Sequence, residues 1–164
     1  MEEDGATNNE LLLVAAKQDS EDILEDIFTQ PDTYDINYAD SIGNTALHYA
    51  AQHGSLSALE LILQQPNVNI DARNRLLQET PLHKAVQYTD DPSVSYEIVQ
   101  ILIDYGADPR IQNKNRQTPI RLVDSGNQEL KSLLQKATLA LQVDARDIAD
   151  DNSEDDEDEG DLTD

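Results

Sequence analysis

One short motif recurs three times in this chain and leaves few folds open. It reads Gly43-Asn44-Thr45-Ala46-Leu47-His48-Tyr49-Ala50-Ala51, then Glu79-Thr80-Pro81-Leu82-His83-Lys84-Ala85, then Gln117-Thr118-Pro119-Ile120-Arg121-Leu122. The threonines stand 35 and 38 residues apart. A period of that size marks stacked units, none of which can bury its apolar face alone. Within each copy the local chemistry is that of a helix start. Threonine at 45, 80 and 118 can accept from free backbone N–H groups. Pro81 and Pro119 follow where a missing N–H costs nothing.

Between the motifs the apolar residues fall at dense helical spacing: Ile23, Leu24, Ile27 and Phe28; Leu59, Leu61, Ile62 and Leu63; Ile98, Val99, Ile101, Leu102 and Ile103. That pattern predicts helices buried on more than one side. Gly106 is a helix stop. A last helix is expected over Asn127 to Val143, with Leu130, Leu133, Leu134, Ala137 and Leu141 in a stripe. The stretch Thr89-Asp90-Asp91-Pro92-Ser93 is about five residues more than the period wants. It is expected to lengthen the loop between the two helices of its unit, since closure entropy grows slowly with length.

On these motifs the chain resembles the ankyrin-repeat family over about residues 9–143. The first unit, Leu12 to Phe28, keeps the alanine pair Ala15-Ala16 and lacks the Thr-Pro-Leu-His start; the fourth has Arg121 where histidine is expected. The resemblance implies an all-α fold: an ankyrin-repeat solenoid of helix–turn–helix units with hairpin loops, a C-terminal capping helix and a disordered acidic tail. The expected boundaries are a disordered N-terminus at 1–8, the repeat domain at 9–143 and the tail at 144–164. It also gives Thr45, His48, Thr80, His83 and Thr118 structural roles, the histidines bonding within and between repeats. Its concave face, built from hairpin tips and first helices, would carry partner-binding residues. Here these are Ile42, Tyr49, His53, Leu76, Leu77, Lys84, Tyr88 and Asn115.

Leu76 and Leu77 stand out, because adjacent leucines on a solvent-facing finger are costly unless covered. Either a partner covers them or they fold back onto the stack. Tyrosine is enriched among interface hot spots, so Tyr49 and Tyr88 either serve a partner or pack on neighbouring helices.

Charge divides the chain into blocks. Its formal net charge is -23. Residues 1–40 hold 12 acids and 1 base, residues 41–143 hold 10 acids and 9 bases, and residues 144–164 hold 12 acids and 1 base. The blocks therefore carry -11, -1 and -11. Nucleic acid would be repelled, since binding it needs positive charge to displace counterions. The acids either keep the chain soluble or attract and steer a basic protein. Glu154 to Glu159 is an unbroken acidic run, expected to stay disordered. Ser153, just before it, is a candidate for an acid-directed kinase, and phosphate there would add negative charge.

An enzyme is not expected. There is no cysteine, hence no thiolate nucleophile or thiolate metal site. Three scattered histidines show no ligand spacing, and serine-nucleophile and phosphate-loop motifs are missing. No cofactor and no metal are expected. The N-terminus lacks a basic start followed by an apolar stretch, and no apolar run is long enough to span a bilayer. The expected setting is cytosol or nucleus, away from membranes, and the expected state a monomer. Two functions fit: an escort that shields a basic protein, or a cytosolic scaffold or inhibitor that uses the groove alone.

Overall fold

The structure, a computed structural model, describes residues 6–144. It contains α1 (Asn8–Gln18), α2 (Glu21–Phe28), a 3-10 turn (Pro31–Thr33), α3 (Ala46–Gln52), α4 (Leu56–Leu63), α5 (Pro81–Val86), α6 (Pro92–Asp104), a 3-10 turn (Pro119–Leu122) and α7 (128–144). Among the described residues the one isolated β-bridge joins Ala39 and Thr45. None of the described helices is long and apolar enough to cross a membrane.

The helices form two layers. In the inner layer α3 lies between α1 and α5; in the outer layer α4 lies between α2 and α6. Small side chains let the inner layer close up: Ala15, Ala16, Ala50, Ala51 and Ala85 are all fully buried. The outer helices supply the bulk of the core through Leu24, Ile27, Leu59, Ile62, Ile98, Val99 and Leu102. Burying one such side chain stabilises by roughly 1.5–3 kcal/mol.

A repeated hydrogen bond closes the turn between the paired helices. The Ser20 N–H donates to the Ala15 carbonyl at 3.0 Å, and the Ser55 N–H to the Ala50 carbonyl at 2.9 Å. Each turn passes through a residue with positive φ, Asp19 at 56° and Gly54 at 69°. Asp19 then reaches across units, accepting from the Ala58 N–H of α4 at 2.7 Å.

The third unit corrects one expectation. Its serine, Ser95, lies ten residues beyond Ala85 rather than five, and its hydroxyl makes the bond to the Ala85 carbonyl at 2.9 Å. The loop does lengthen, to five residues (87–91) against three in the second unit (53–55), but most of the extra residues enter as helix. α6 has 13 residues, whereas α2 and α4 have 8 each. Asp91-Pro92-Ser93 explains why: Asp91 accepts from the Ser93 N–H at 3.1 Å, and proline takes the first helical position.

Both ends of the stack depart from the inner units. α1 starts at Asn8, inside the stretch read as disordered. Thr7 accepts from the Glu10 N–H and Glu10 accepts from the Thr7 N–H, both at 3.1 Å. This reciprocal cap begins the helix one turn before the register of α3. At the other end Pro119–Leu122 forms one 3-10 turn where an inner unit has an α-helix, and Thr118 makes no side-chain cap. α7 closes the stack with Leu130 and Leu134 buried, and it runs through 144, one residue past the expected end.

Candidate functional site: fingers and inner helices

Three fingers project from the stack, each closed by a side chain at its root. Asp40 Oδ1 accepts from the N–H groups of Ile42 at 3.2 Å and Asn44 at 3.0 Å. Asn113 Oδ1 accepts from Asn115 and Gln117, each at 2.9 Å. Asn74 Oδ1 accepts from Leu77 at 3.3 Å and Glu79 at 2.9 Å. The same position in each finger has positive φ: Gly43 at 86°, Gln78 at 57° and Arg116 at 63°. Gly43 is the demanding one, since a Cβ there would lie 2.3 Å from the Arg75 backbone nitrogen. The next finger presses that close because the Arg75 N–H donates to the Ile42 carbonyl at 2.8 Å. The Lys114 N–H repeats this bond to Leu77 at 2.8 Å.

This register places the apolar tips. Ile42, Leu77 and Asn115 are equivalent, and Leu76 is the one extra residue of the second finger. Leu76 bulges outward with 60% of its surface exposed, and Ile42 is 42% exposed. Leu77 is half-buried and Asn115 exposed. On α1, Val14 adds a further exposed apolar side chain.

The tyrosines differ from their role as open contact residues. Tyr49 is only 7% exposed. Its hydroxyl donates to the Asp40 carboxylate, and the Lys17 ammonium lies 4.4 Å from its ring centre. Burial alone would raise the Asp40 carboxyl. The bonds from Tyr49, Asn44 and Ile42, with Lys17 nearby, hold it below the usual carboxylate range instead. Tyr49 thus anchors the first finger to α3. Tyr88 is half-buried with its ring against Gly54, where a Cβ would come within 2.4 Å of Cζ. Lys84 is partly buried and pairs with the buried Glu79 at 3.4 Å. Glu79 also accepts from Gln87 and Asn113, each at 3.1 Å. Of the predicted contact residues, Ile42, His53, Leu76 and Asn115 are exposed. Ser153 lies outside the described residues.

The two motif histidines tie the units together. The Thr45 N–H donates to His48 Nδ1 at 3.1 Å, so Nε2 carries the proton and donates to the Glu79 carbonyl at 2.8 Å. His83 does the same, with Thr80 at 3.1 Å and the Gln117 carbonyl at 2.8 Å. Each acceptor is the residue just before the next motif threonine. Burial pushes the His48 pKa down to about 4 and lowers that of His83. Both imidazoles are neutral cross-braces, each with the motif threonine hydroxyl 2.9 Å from Nδ1. Thr118 has no such partner, because residue 121 is arginine.

Charge varies along the stack. Glu21, Asp22, Glu25 and Asp26 are all exposed on α2. Residues 105–143 instead carry six bases and three acids. A groove of about 580 Å³ between the second and third fingers is lined by Arg73, Gln78, Asp108, Arg110, Gln112 and Lys114, among others.

The sequence that builds this stack is shared with known proteins. Residues 12–113 match the family described as Ankyrin repeats (3 copies). The chain belongs to the ankyrin-repeat family. It is 38% identical over 167 residues to the Ankyrin repeat-containing protein YGL242C of Saccharomyces cerevisiae, covering 96% of this chain and 91% of that protein. It is 31% identical over 101 residues to the Putative ankyrin repeat protein YahD of Escherichia coli, covering 61% of this chain and 50% of that one. Over 97 residues it is 35% identical to human BCL-6 corepressor-like protein 1, covering 58% of this chain and 5% of that long protein. Ankyrin repeats are protein-interaction modules, and such a module is what this chain is. Its fold presents fingers braced to one another by backbone hydrogen bonds.

Proposed function

We propose that this ankyrin stack is an escort: it grips a basic protein and shields its positive surface. The observation that carries the reading is the pairing of two exposed apolar side chains, Ile42 and Leu76, beside the half-buried Leu77, with the exposed acids of α2 on the same stack. The apolar side chains supply desolvation energy, about 25 cal/mol per Å² of apolar surface covered. The acids supply attraction and orientation, speeding encounter more than they tighten the final complex. The partner is thus a protein with a small apolar knob for the fingers and a lysine- or arginine-rich segment for the first unit. The escort acts as a monomer in cytosol or nucleus.

The test is purification of partners with tagged full-length protein from its own cells, at low and moderate salt. Two variants run alongside: Leu76→Asp, and α2 neutralised by Glu21→Gln, Asp22→Asn, Glu25→Gln and Asp26→Asn. All changed positions are exposed, so the fold survives. A strongly basic partner, lost with Leu76→Asp and weakened by neutralisation and by salt, supports the escort. A neutral or acidic partner indifferent to α2 charge would instead make the chain a scaffold that works through the fingers alone.

A further inference from the structure

We propose that the groove between the second and third fingers is a binding site for an acidic extended peptide, and that its occupant is the acidic C-terminal segment of the same chain. The contact lies within one chain, so it does not depend on the escort reading.

The groove is basic in a protein that is otherwise acidic. Arg73 enters from the second finger, and Arg110 and Lys114 from the third. One carboxylate, Asp108, shares the groove and holds Arg110 by two bonds of 2.9 and 3.1 Å. That leaves the lining at +2. It also fixes the guanidinium, whose five donors can serve a second carboxylate at the same time. Gln78 and Gln112 bring amide groups to the same surface. The stretch of sequence that carries Arg110 and Lys114, residues 105–143, holds six bases against three acids, a net of +3.

The occupant is set by where the chain leaves the structure. A second cleft, of about 420 Å³, is lined by Thr138, Leu139 and Gln142 of α7 together with Pro109 and Arg110. Arg110 therefore borders both the end of α7 and the basic groove. Residues 145–164 continue from that end with 11 acids and 1 base, a net of -10. The acidic run begins at Glu154, ten residues beyond Asp144. Ten residues of chain can reach at most about 33–36 Å, which brings the start of the run within range of a groove that Arg110 shares with the cleft at α7. Tethering at that length gives an effective concentration on the order of millimolar, so weak individual ion pairs suffice to populate the contact. Opposite charges at short range over a partly enclosed surface make the contact salt-sensitive.

The chain has no cysteine, so Ser153→Cys in the full-length protein places a single nitroxide label just before the acidic run. The readout is loss of backbone amide signal intensity. At low salt the amides of Arg73, Gln78 and Lys114 are expected to lose intensity. They should recover at about 1 M salt, where the Debye length is roughly 3 Å. They should also recover when Arg73→Gln, Arg110→Gln and Lys114→Gln are combined. A second variant leaves the repeat domain untouched and covers the case in which that triple change disturbs the fold. It neutralises Glu154, Asp155, Asp156, Glu157, Asp158 and Glu159 to the matching amides, and it must give the same recovery. Full intensity in the groove at low salt overturns the proposal, as does a loss centred on another surface. So does a loss that survives neutralisation of the run. A final arm mixes labelled chains with isotope-enriched unlabelled chains: intensity loss in the mixture places the segment on a neighbouring copy and overturns the intramolecular contact.

Discussion

Units two and three differ from unit four at one position, and that position decides how each begins. In the inner units a histidine three residues after the threonine accepts from the threonine N–H and donates its own N–H to a carbonyl of the next unit. The helix that follows is α-helical and capped. In the fourth unit Arg121 takes that place, Thr118 makes no side-chain cap, and the segment closes into one 3-10 turn. The motif histidine is therefore a coupling between neighbours more than a property of its own helix. It is useful only where a further finger stands ready to accept, and the last unit has α7 beyond it instead. A stack of this kind gains stability from interfaces as much as from units, so breaking the coupling should be costly in the middle and cheap at the end.

The largest effect is expected on removing a staple. His48→Ala leaves the Thr45 N–H buried without a partner, reduces the Glu79 carbonyl to its single bond from the Asn74 N–H, and opens a cavity. It should cost about 3 kcal/mol in urea unfolding. Arg121→Ala, at an exposed site, should stay within about 0.5 kcal/mol. Equal losses at the two positions would dissolve the contrast. Acid makes nearly as large a test. Folded His48 titrates at about 4, against an ordinary 6.5 in the unfolded chain. Between those values the unfolded chain binds a proton that the folded chain refuses. Stability is thus complete above about pH 6.5 and falls as pH drops towards 4, by on the order of 3 kcal/mol from His48, with His83 acting in the same direction. Urea midpoints across that range should show the fall, and His48→Leu should flatten it.

Much of this contrast was legible in the sequence. The Thr-x-x-His spacing marked the inner units, and Arg121 marked the fourth as different. The paired leucines marked the second finger as unusual, because a finger needs turn residues and not apolar ones. Other features were readable and passed over. Thr7 and Glu10 have the spacing of a reciprocal cap, and Asp91-Pro92-Ser93 spells a helix start within what looked like a loop. The rest depends on distant residues meeting. Tyr49 is buried because Asp40, nine positions earlier, accepts its hydroxyl and Lys17 covers its ring. The basic groove joins Arg73 to Arg110 and Lys114 across two fingers, and no window along the chain shows them together.

A smaller effect separates the caps. The Thr80 hydroxyl accepts from the His83 N–H at 3.3 Å in a fully buried setting. Thr80→Ala should therefore cost about 1–2 kcal/mol, the usual range for losing such a cap. Thr118→Ala removes no cap bond and should fall within about 0.5 kcal/mol. Unfolding midpoints of the two single variants decide it. A Thr118→Ala loss as large as that of Thr80→Ala would mean that the fourth unit begins as the inner ones do.

The smallest expected effect sharpens the comparison from the other side. Arg121→His restores the motif to Thr-Pro-Ile-His, so local sequence would favour a capped α-helix. The new imidazole could accept from the Thr118 N–H as His48 and His83 do for theirs. Its Nε2 proton would still lack the carbonyl of a following finger, since α7 and not a fifth unit comes next. Half the staple should form, and the gain should stay below about 0.5 kcal/mol, with amide exchange at Leu122 and Val123 slowed only slightly. A gain near that lost by His48→Ala would show that the histidine acts mainly within its own helix. The inter-unit bond would then be incidental, and the coupling account of the stack would fall with it.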